Sequence, residues 1–343
     1  MWRISRANYA RYGAIALFII AVAVMPLTTD SRYYLTIGNF IGIYAIVAIG
    51  LAMLIGYAGQ VSMAQAAFFG IGAFASAILT TKADLNPWLA LLIGILIAMA
   101  IAGIIGIPLL KLEGHILAVA TLSLSIVVYT LFVELRPLTG GYDGIGSIPR
   151  LAIGGLIFKS DFAYYYVIWA FVLITFILAS NIVNSRVGRA LRSIHRFFGG
   201  SEMAAQSLGI SPTKYKVQVF MVSAACGSIA GSLYAHWITF VNPEPFGIFI
   251  SILMLIMVTI GGMGSLWGAI IGAAVIVLSG EIFREVVPLI IPGAAGEMEM
   301  IAYGLILILI LLFMPRGLAS APTLIRNRRM KARERAQRQE IAS

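Results

Sequence analysis

Residues 246–280 read FGIFISILMLIMVTIGGMGSLWGAIIGAAVIVLSG, a run with no charged side chain. A helix needs about 20 apolar residues to cross roughly 30 Å of hydrocarbon. This run is long enough for two crossings, and the glycine cluster GGMGS (261–265) divides it.

The rest of the chain has the same character. Its 343 residues are 60% hydrophobic and 11% charged, with a mean hydropathy of +0.96. Soluble domains carry roughly 25% charged residues, and disorder needs low hydrophobicity. Both classes are excluded, which leaves a polytopic membrane protein. The single cysteine, Cys226, rules out a disulfide framework and reads as a small core filler. The three histidines, His115, His195 and His236, are far apart and have no metal-ligand spacing, so no metal site is expected.

Working outward, further apolar runs cover about 12–28, 34–55, 66–81, 88–110, 115–134, 162–183, 217–240 and 298–314. The first follows three arginines but has no small-residue cleavage site behind it, so it reads as a retained span. GYAGQVSMAQ (56–65) breaks the second run from the third. DLNP (84–87) turns the chain, with Pro87 at a helix start. Residues 135–161 form a polar loop, and 281–297 read as polar or proline-broken. The expectation is an all-α protein of about ten transmembrane helices, some short or broken. Six spans precede the loop 184–216 and four follow it.

Charge gives an independent topology. Three segments, 1–11, 184–216 and 315–343, hold 17 of the 24 basic residues. Even span counts put all three on one side, and the positive-inside rule makes that side cytoplasmic. Both termini are then inside and the loop 135–161 outside. The division expected is a membrane domain over 1–318 and a basic tail over 319–343, read as solvated and drawn to anionic headgroups.

No charged residue falls in the middle of a run. Buried ionisable groups mark proton relays and voltage sensors, so those classes lose support. No lysine follows a glycine, so there is no phosphate-binding P-loop. If transport is active, the energy comes from another polypeptide. Glycine breaks after the second and eighth runs, GYAGQVS (56–62) and GGMGSLWG (261–268), lie where the broken helices of repeated transporter halves would lie, and a true repeat stays open.

The loop NSRVGRALRSIHRFFGGSEMAAQSLGISPTKYK (184–216) is too basic to enter the membrane and is rich in helix formers. Ala190, Leu191 and Ile194 share a helical spacing, and Arg189 and Arg192 point elsewhere. Ser201 can cap a short helix and Gly209 can end it. Two readings stand: amphipathic helices resting on headgroups, or a docking element for a motor subunit.

Here the chain resembles a known family. GRALRSI and SEMAAQSLGI look like the coupling segment of ABC importer permeases. GYAGQVSMAQAAFFGIGAFASAIL (56–79), LTGGYDGIGSIP (138–149), GGMGSLWGAIIGA (261–273) and LLFMPRGL (311–318) are similar to branched-chain amino-acid permeases of the LivM type. One departure is the segment HRFFGGS (195–201), with Phe197 and Phe198, which lengthens the coupling region. Either the docking surface is enlarged or the helix breaks there.

The resemblance implies a non-enzymatic permease subunit of an ATP-driven importer in a bacterial inner membrane. It implies branched-chain or other hydrophobic amino acids as solute, with urea, short amides or aromatic acids as alternatives within the family. A standalone channel or secondary carrier is the rival from another class. Implied partners are a homologous second permease, two cytoplasmic ATPases that bind ATP and Mg, and an extracytoplasmic solute-binding protein, with no cofactor in this chain. Gly188, Arg189, Ala190, Leu191, Arg192, Glu202, Ala204, Ala205 and Gly209 match the coupling motif. Glu202 could stabilise its helix start or pair with a basic residue of the motor.

For the solute path, Gln60, Ser62 and Gln65 lie at the first break. Thr121, Ser123 and Ser125 lie in the fifth run and cannot all share one face. They read as interhelical hydrogen bonds or as a pore lining. Tyr142 and Asp143 in the outer loop suit a binding-protein contact or a turn. FAYYY (162–166) reads as an interfacial belt. Met254, Met257 and Met263 read as packing, and the small residues Ser223, Ala224, Gly227, Ala230 and Gly231 as a close helix crossing.

Overall fold

The computed structural model describes Pro26 and residues 32–153, 156–158, 160–195 and 200–290. Apart from Pro26, the runs expected at 12–28 and 298–314, the tail 319–343, and Phe197 and Phe198 lie outside the described residues. Apolar runs become helices because only intra-segment hydrogen bonds satisfy the backbone in lipid. They are α1 (Arg32–Ala58), α2 (Gln65–Thr81), α3 (Pro87–Leu109), α4 (Gly114–Glu134), α6 (Asp161–Asn184), α9 (Pro212–Ile238), α10 (Ile248–Gly261) and α11 (Leu266–Ile290). Among the described residues, six of these are long and apolar enough to cross a membrane. α2 and α10, at 17 and 14 residues, are shorter. Among the described residues five smaller helical segments join them: α5 (Arg136–Thr139), α7 (Arg186–Ile194), α8 (Glu202–Ser207) and 3₁₀ turns over Gly141–Asp143 and Glu244–Phe246.

α1 runs through the middle, and Ile43, Ile46, Ile49 and Leu51 have no exposed surface. α9 crosses α2 at small residues. A methyl on Gly231 would collide with the Phe69 carbonyl, and one on Gly72 with the Ser228 backbone. That close approach lets Ser76 Oγ and Ser232 Oγ share a 2.6 Å hydrogen bond. Cys226 is buried against Gly50 as a small filler. Met254 and Met257 pack in the core, whereas Met263 is half exposed in the second break. The outer helices do the opposite of α1. Leu96 and Ile104 on α3, Ile116 on α4 and Leu178 on α6 are more than half exposed. Apolar residues outside and small polar residues inside are the pattern of helices surrounded by lipid.

The breaks fall where expected. Asn86 caps α3 by accepting from Trp88 N at 2.9 Å, with Pro87 in the first turn. GGMGS separates α10 from α11. α11, however, continues through the stretch expected to be broken at 281, because Glu281 and Arg284 pair one turn apart at 3.3 Å and the charges satisfy each other on the helix.

The loop after α4 carries α5, the 3₁₀ turn and a short hairpin pairing Ala152 with Ile157 and Ile153 with Leu156. It is tied to the end of α9. Ile145 and Val241 exchange backbone hydrogen bonds of 2.8 and 2.9 Å. The Tyr164 hydroxyl donates to His236 O at 2.8 Å and accepts from Leu151 N at 2.8 Å. Trp237 Nε1 donates to Asp161 Oδ1 at 3.0 Å. This corrects the reading of FAYYY as a belt. Tyr164 and Tyr165 are wholly buried, and only Phe162 and Tyr166 face outward. Aromatic composition does not reveal which ring has a polar partner inside, and Tyr164 has two.

Candidate functional site

The first break, residues 59–64, is irregular backbone in the middle of the bundle. Irregular backbone at that depth must be paired by neighbours, and hydroxyls from two helices do so. Thr121 Oγ1 accepts from Met63 N at 2.9 Å and donates to Ala118 O. Ser125 Oγ donates to Met63 O at 2.9 Å. Ser251 Oγ on α10 accepts from Ala66 N and lies 3.2 Å from Ser125 Oγ. Gln65 Nε2 donates to Ser223 Oγ on α9 at 2.8 Å. Ser62 Oγ accepts from Ala64 N, and Gln60 Nε2 donates to Ala58 O. The amide oxygens of Gln60 and Gln65 are buried acceptors without a partner.

The structure thus brings Gln60, Ser62, Gln65, Thr121 and Ser125 together. Thr121 and Ser125, one turn apart, share the inward face. Ser123 is on the other side, exposed, and donates only to Val119 O of its own helix. Ser223 and Ser251 belong to the same cluster. Composition hid them, because a single serine in an apolar run carries no signal of its facing.

The two glycine breaks meet. Gly56 leaves no room for a side chain beside Gly264, and the Tyr57 hydroxyl donates to Gly264 O at 2.9 Å. Gly264 and Gly59 have φ of +89° and +68°, the region where a Cβ is strained.

The arm is made of α7 and α8: α7 packs on these breaks through His195 and Arg192, and α8 packs against α7 and α9. Ser185 caps α7 by accepting from Val187 N at 3.1 Å. Ala190, Leu191 and Ile194 are buried and Arg189 is exposed, as their spacing requires. Gly188 touches Val183 so closely that no side chain fits. Arg192 turns inward: Nη2 donates to Val183 O at 2.7 Å and Nε to Gly188 O at 3.2 Å.

α7 ends at Ile194, and His195 after it is extended. Gly200 N donates to His195 O and Ser201 N to Ser193 O. The His195 ring lies on Gly59, where any side chain would collide with it. Burial pulls the His195 pKa below its usual 6.5.

α8 begins at Glu202, but the Ser201 side chain does not cap it, contrary to expectation. Glu202 Oε1 instead takes Lys216 Nζ of α9 at 2.5 Å. Gly209 does end α8: Gly209 N donates to Gln206 O and Ile210 N to Ala205 O, a Schellman closure. Ala205 is buried and Ala204 exposed, with Met203 and Leu208 each 80% exposed. A 340 Å³ cavity joins the arm to the second break, lined among others by Tyr57, Asn184, Arg192, Gly264 and Trp267. Tyr142 and Asp143 lie apart from all of this, exposed on the 3₁₀ turn.

The model of the family described as "Branched-chain amino acid transport system / permease component" matches residues 33–311. The chain is 31% identical to the high-affinity branched-chain amino acid transport system permease protein LivM of Salmonella typhimurium, covering 89% of this chain and 73% of that protein. It is 26% identical to BraD of Pseudomonas aeruginosa, covering 84% and 94%. It is 25% identical to the LivH permease of Salmonella typhimurium, covering 81% and 92%. No solved structure matches. The chain belongs to the family of branched-chain amino acid transport system permease components.

Proposed function

We propose that this chain is one permease subunit of an ATP-driven importer moving branched-chain or other hydrophobic amino acids inward across a bacterial inner membrane. In this reading it has about ten spans over residues 1–318, both termini are cytoplasmic, and 319–343 form a basic tail. A second, homologous permease completes the conduit. Two cytoplasmic ATPases bind ATP and Mg, and an extracytoplasmic protein delivers the solute to the loop bearing Tyr142 and Asp143.

The observation that carries the reading is the seating of the arm on the breaks. His195 rests on Gly59, and Arg192 shares a cavity with Gly264. A push on α7, or on α8 packed against it, therefore bears on both broken helices. Gly188, Arg189, Ala190, Leu191, Arg192, Glu202, Ala204, Ala205 and Gly209 form that arm. Within it the surface left for a motor is Arg189, Ala204, Met203 and Leu208, because Arg192 and Glu202 are occupied by this chain. Gln60, Ser62, Gln65, Thr121 and Ser125 shape the break that opens. An uncharged path suits a transient, weak site, since a tight one would hold the solute.

The test is ATP-driven leucine uptake by proteoliposomes holding the full complex and its binding protein. Competition by isoleucine and valine, with none by urea, ribose or benzoate, is expected. Uptake competed only by the latter solutes would replace the cargo, and uptake without ATP would replace the mechanism.

A further inference from the structure

Among the described residues, the 340 Å³ cavity between the arm and the second break is lined by one charged side chain, Arg192, and by no carboxylate. Two long apolar helices have an end there: α6 finishes at Asn184 and α11 starts at Leu266. The cavity therefore lies at the depth where hydrocarbon gives way to headgroups. A guanidinium has five N–H donors. In Arg192, Nε is spent on Gly188 O and one N–H of Nη2 on Val183 O. Both N–H groups of Nη1 and the second of Nη2 remain, a fork that suits two oxygens of a phosphate. The two partners are neutral carbonyls, so among the described residues the Arg192 charge has no counter-ion.

More positive charge stands beside it. α7 also carries Arg186 and Arg189 and has no acidic residue. Arg189 Nη1 donates at 3.4 Å to the carbonyl of Asn184, itself part of the cavity wall. The rest of the wall is apolar and begins at Val183, whose carbonyl Arg192 holds. Val183 and Leu266 are buried, and the Phe176 and Trp267 rings pack with centroids 4.7 Å apart. Tryptophan at the end of a span sits at the headgroup level.

We propose that this cavity binds an anionic phospholipid, with its phosphodiester on the Nη1 side of Arg192 and the start of its acyl chains along Val183, Leu266 and Trp267. The proposal needs the membrane fold and is independent of the cargo. A net negative headgroup supplies the counter-ion that Arg192 lacks. A zwitterionic lipid brings its own cation beside Arg189 and Arg192. A soluble phosphate meets the guanidinium but leaves the aromatic wall uncovered. The bound lipid links α7 to the first turn of α11, so membrane composition sets how firmly the arm is held to the second break.

The test uses phosphatidylglycerol with a photoreactive diazirine near the carbonyl of one acyl chain, in phosphatidylcholine nanodiscs that hold the full complex. Phosphatidylcholine with the same diazirine is the comparison. Adducts at Leu266 and Trp267 are normalised to those at Ile104, an exposed residue of α3. Phosphatidylglycerol should give about tenfold more than phosphatidylcholine, the scale of a charge-assisted hydrogen bond. Arg192→Gln should remove that preference. Ser180→Phe narrows the cavity without touching a charge and should lower the cavity adducts but not those at Ile104. Lys214→Gln, an exposed cation at the start of α9, should change neither. Inorganic phosphate and glycerophosphoglycerol, which have the phosphate but no chains, should leave the labelling in place. Equal labelling by the two lipids, or a preference that survives either Arg192→Gln or Ser180→Phe, overturns the site. Displacement by the chain-free phosphates overturns the lipid assignment in favour of a soluble anion. Labelling that appears only once the ATPases are stripped away makes Arg192 a motor contact and overturns it as well.

Discussion

Lys216 Nζ lies 2.5 Å from Glu202 Oε1, joining the second helix of the arm to the second turn of α9. The two ends differ: the lysine side chain is 3% exposed and the carboxylate 36%. Removing the carboxylate leaves a buried cation uncompensated, a loss of about 1.5–3 kcal/mol for a half-buried charged hydrogen bond. Glu202→Gln should therefore lower the thermal midpoint of the purified complex. Adding Lys216→Met should restore most of it, a coupling that a double-mutant cycle reads directly. Additive losses would show that the two side chains do not depend on each other.

Gly59 tolerates no side chain for two separate reasons, its φ of +68° and the His195 ring. A left-handed alanine costs roughly 1–2 kcal/mol, and the overlap adds to it. Gly59→Ala should strongly reduce uptake. His195→Gly in that background removes the overlap but not the backbone strain, so it should recover uptake in part. Full recovery would assign the whole effect to His195, and none would assign it to the backbone.

The hydroxyls around the first break separate by facing. Thr121→Val leaves Met63 N–H buried and unpaired, a cost of about 1–3 kcal/mol. Ser125→Ala similarly frees Met63 O. Ser123→Ala should change thermal stability by less than about 0.5 kcal/mol, as outward-facing positions do. Equal losses at Ser123 and Thr121 would contradict the placement of this helix.

The helices, the glycine breaks and the buried face of the arm were legible because their signals are local: apolar length, glycine clusters, helical spacing. What the chain alone did not reveal depended on facing or distance. Lys216 is fourteen residues from Glu202, and only the fold makes them partners. Tyr164 reads as an interfacial ring until the loop it anchors is placed above it. Arg192 matches a docking motif, yet it spends two donors on its own carbonyls. Glu281 and Arg284 look like a span boundary because charge usually ends an apolar run, but paired charges let α11 continue.

His195 gives the arm a pH dependence of known sign. Burial lowers its folded pKa below 6.5, so the unfolded chain takes up a proton first as pH falls. The stability it contributes is complete above pH 6.5 and is lost as pH drops through the lowered value. His195→Gln should flatten this part of the stability profile, read as thermal midpoint against pH. An unchanged slope would place the titration on another group.

Transmission from nucleotide to the breaks is the central claim, and it can be measured as a distance. Spin labels at Met263, half exposed in the second break, and at Leu89, exposed at the start of α3, would report it in a Cys226→Ala background. In the full complex, ATP should shift the Met263–Leu89 distance distribution and ADP should restore it, and Gly59→Ala should abolish the shift while nucleotide still binds. A distribution that stays the same with and without ATP, in complexes that continue to take up leucine, would contradict it.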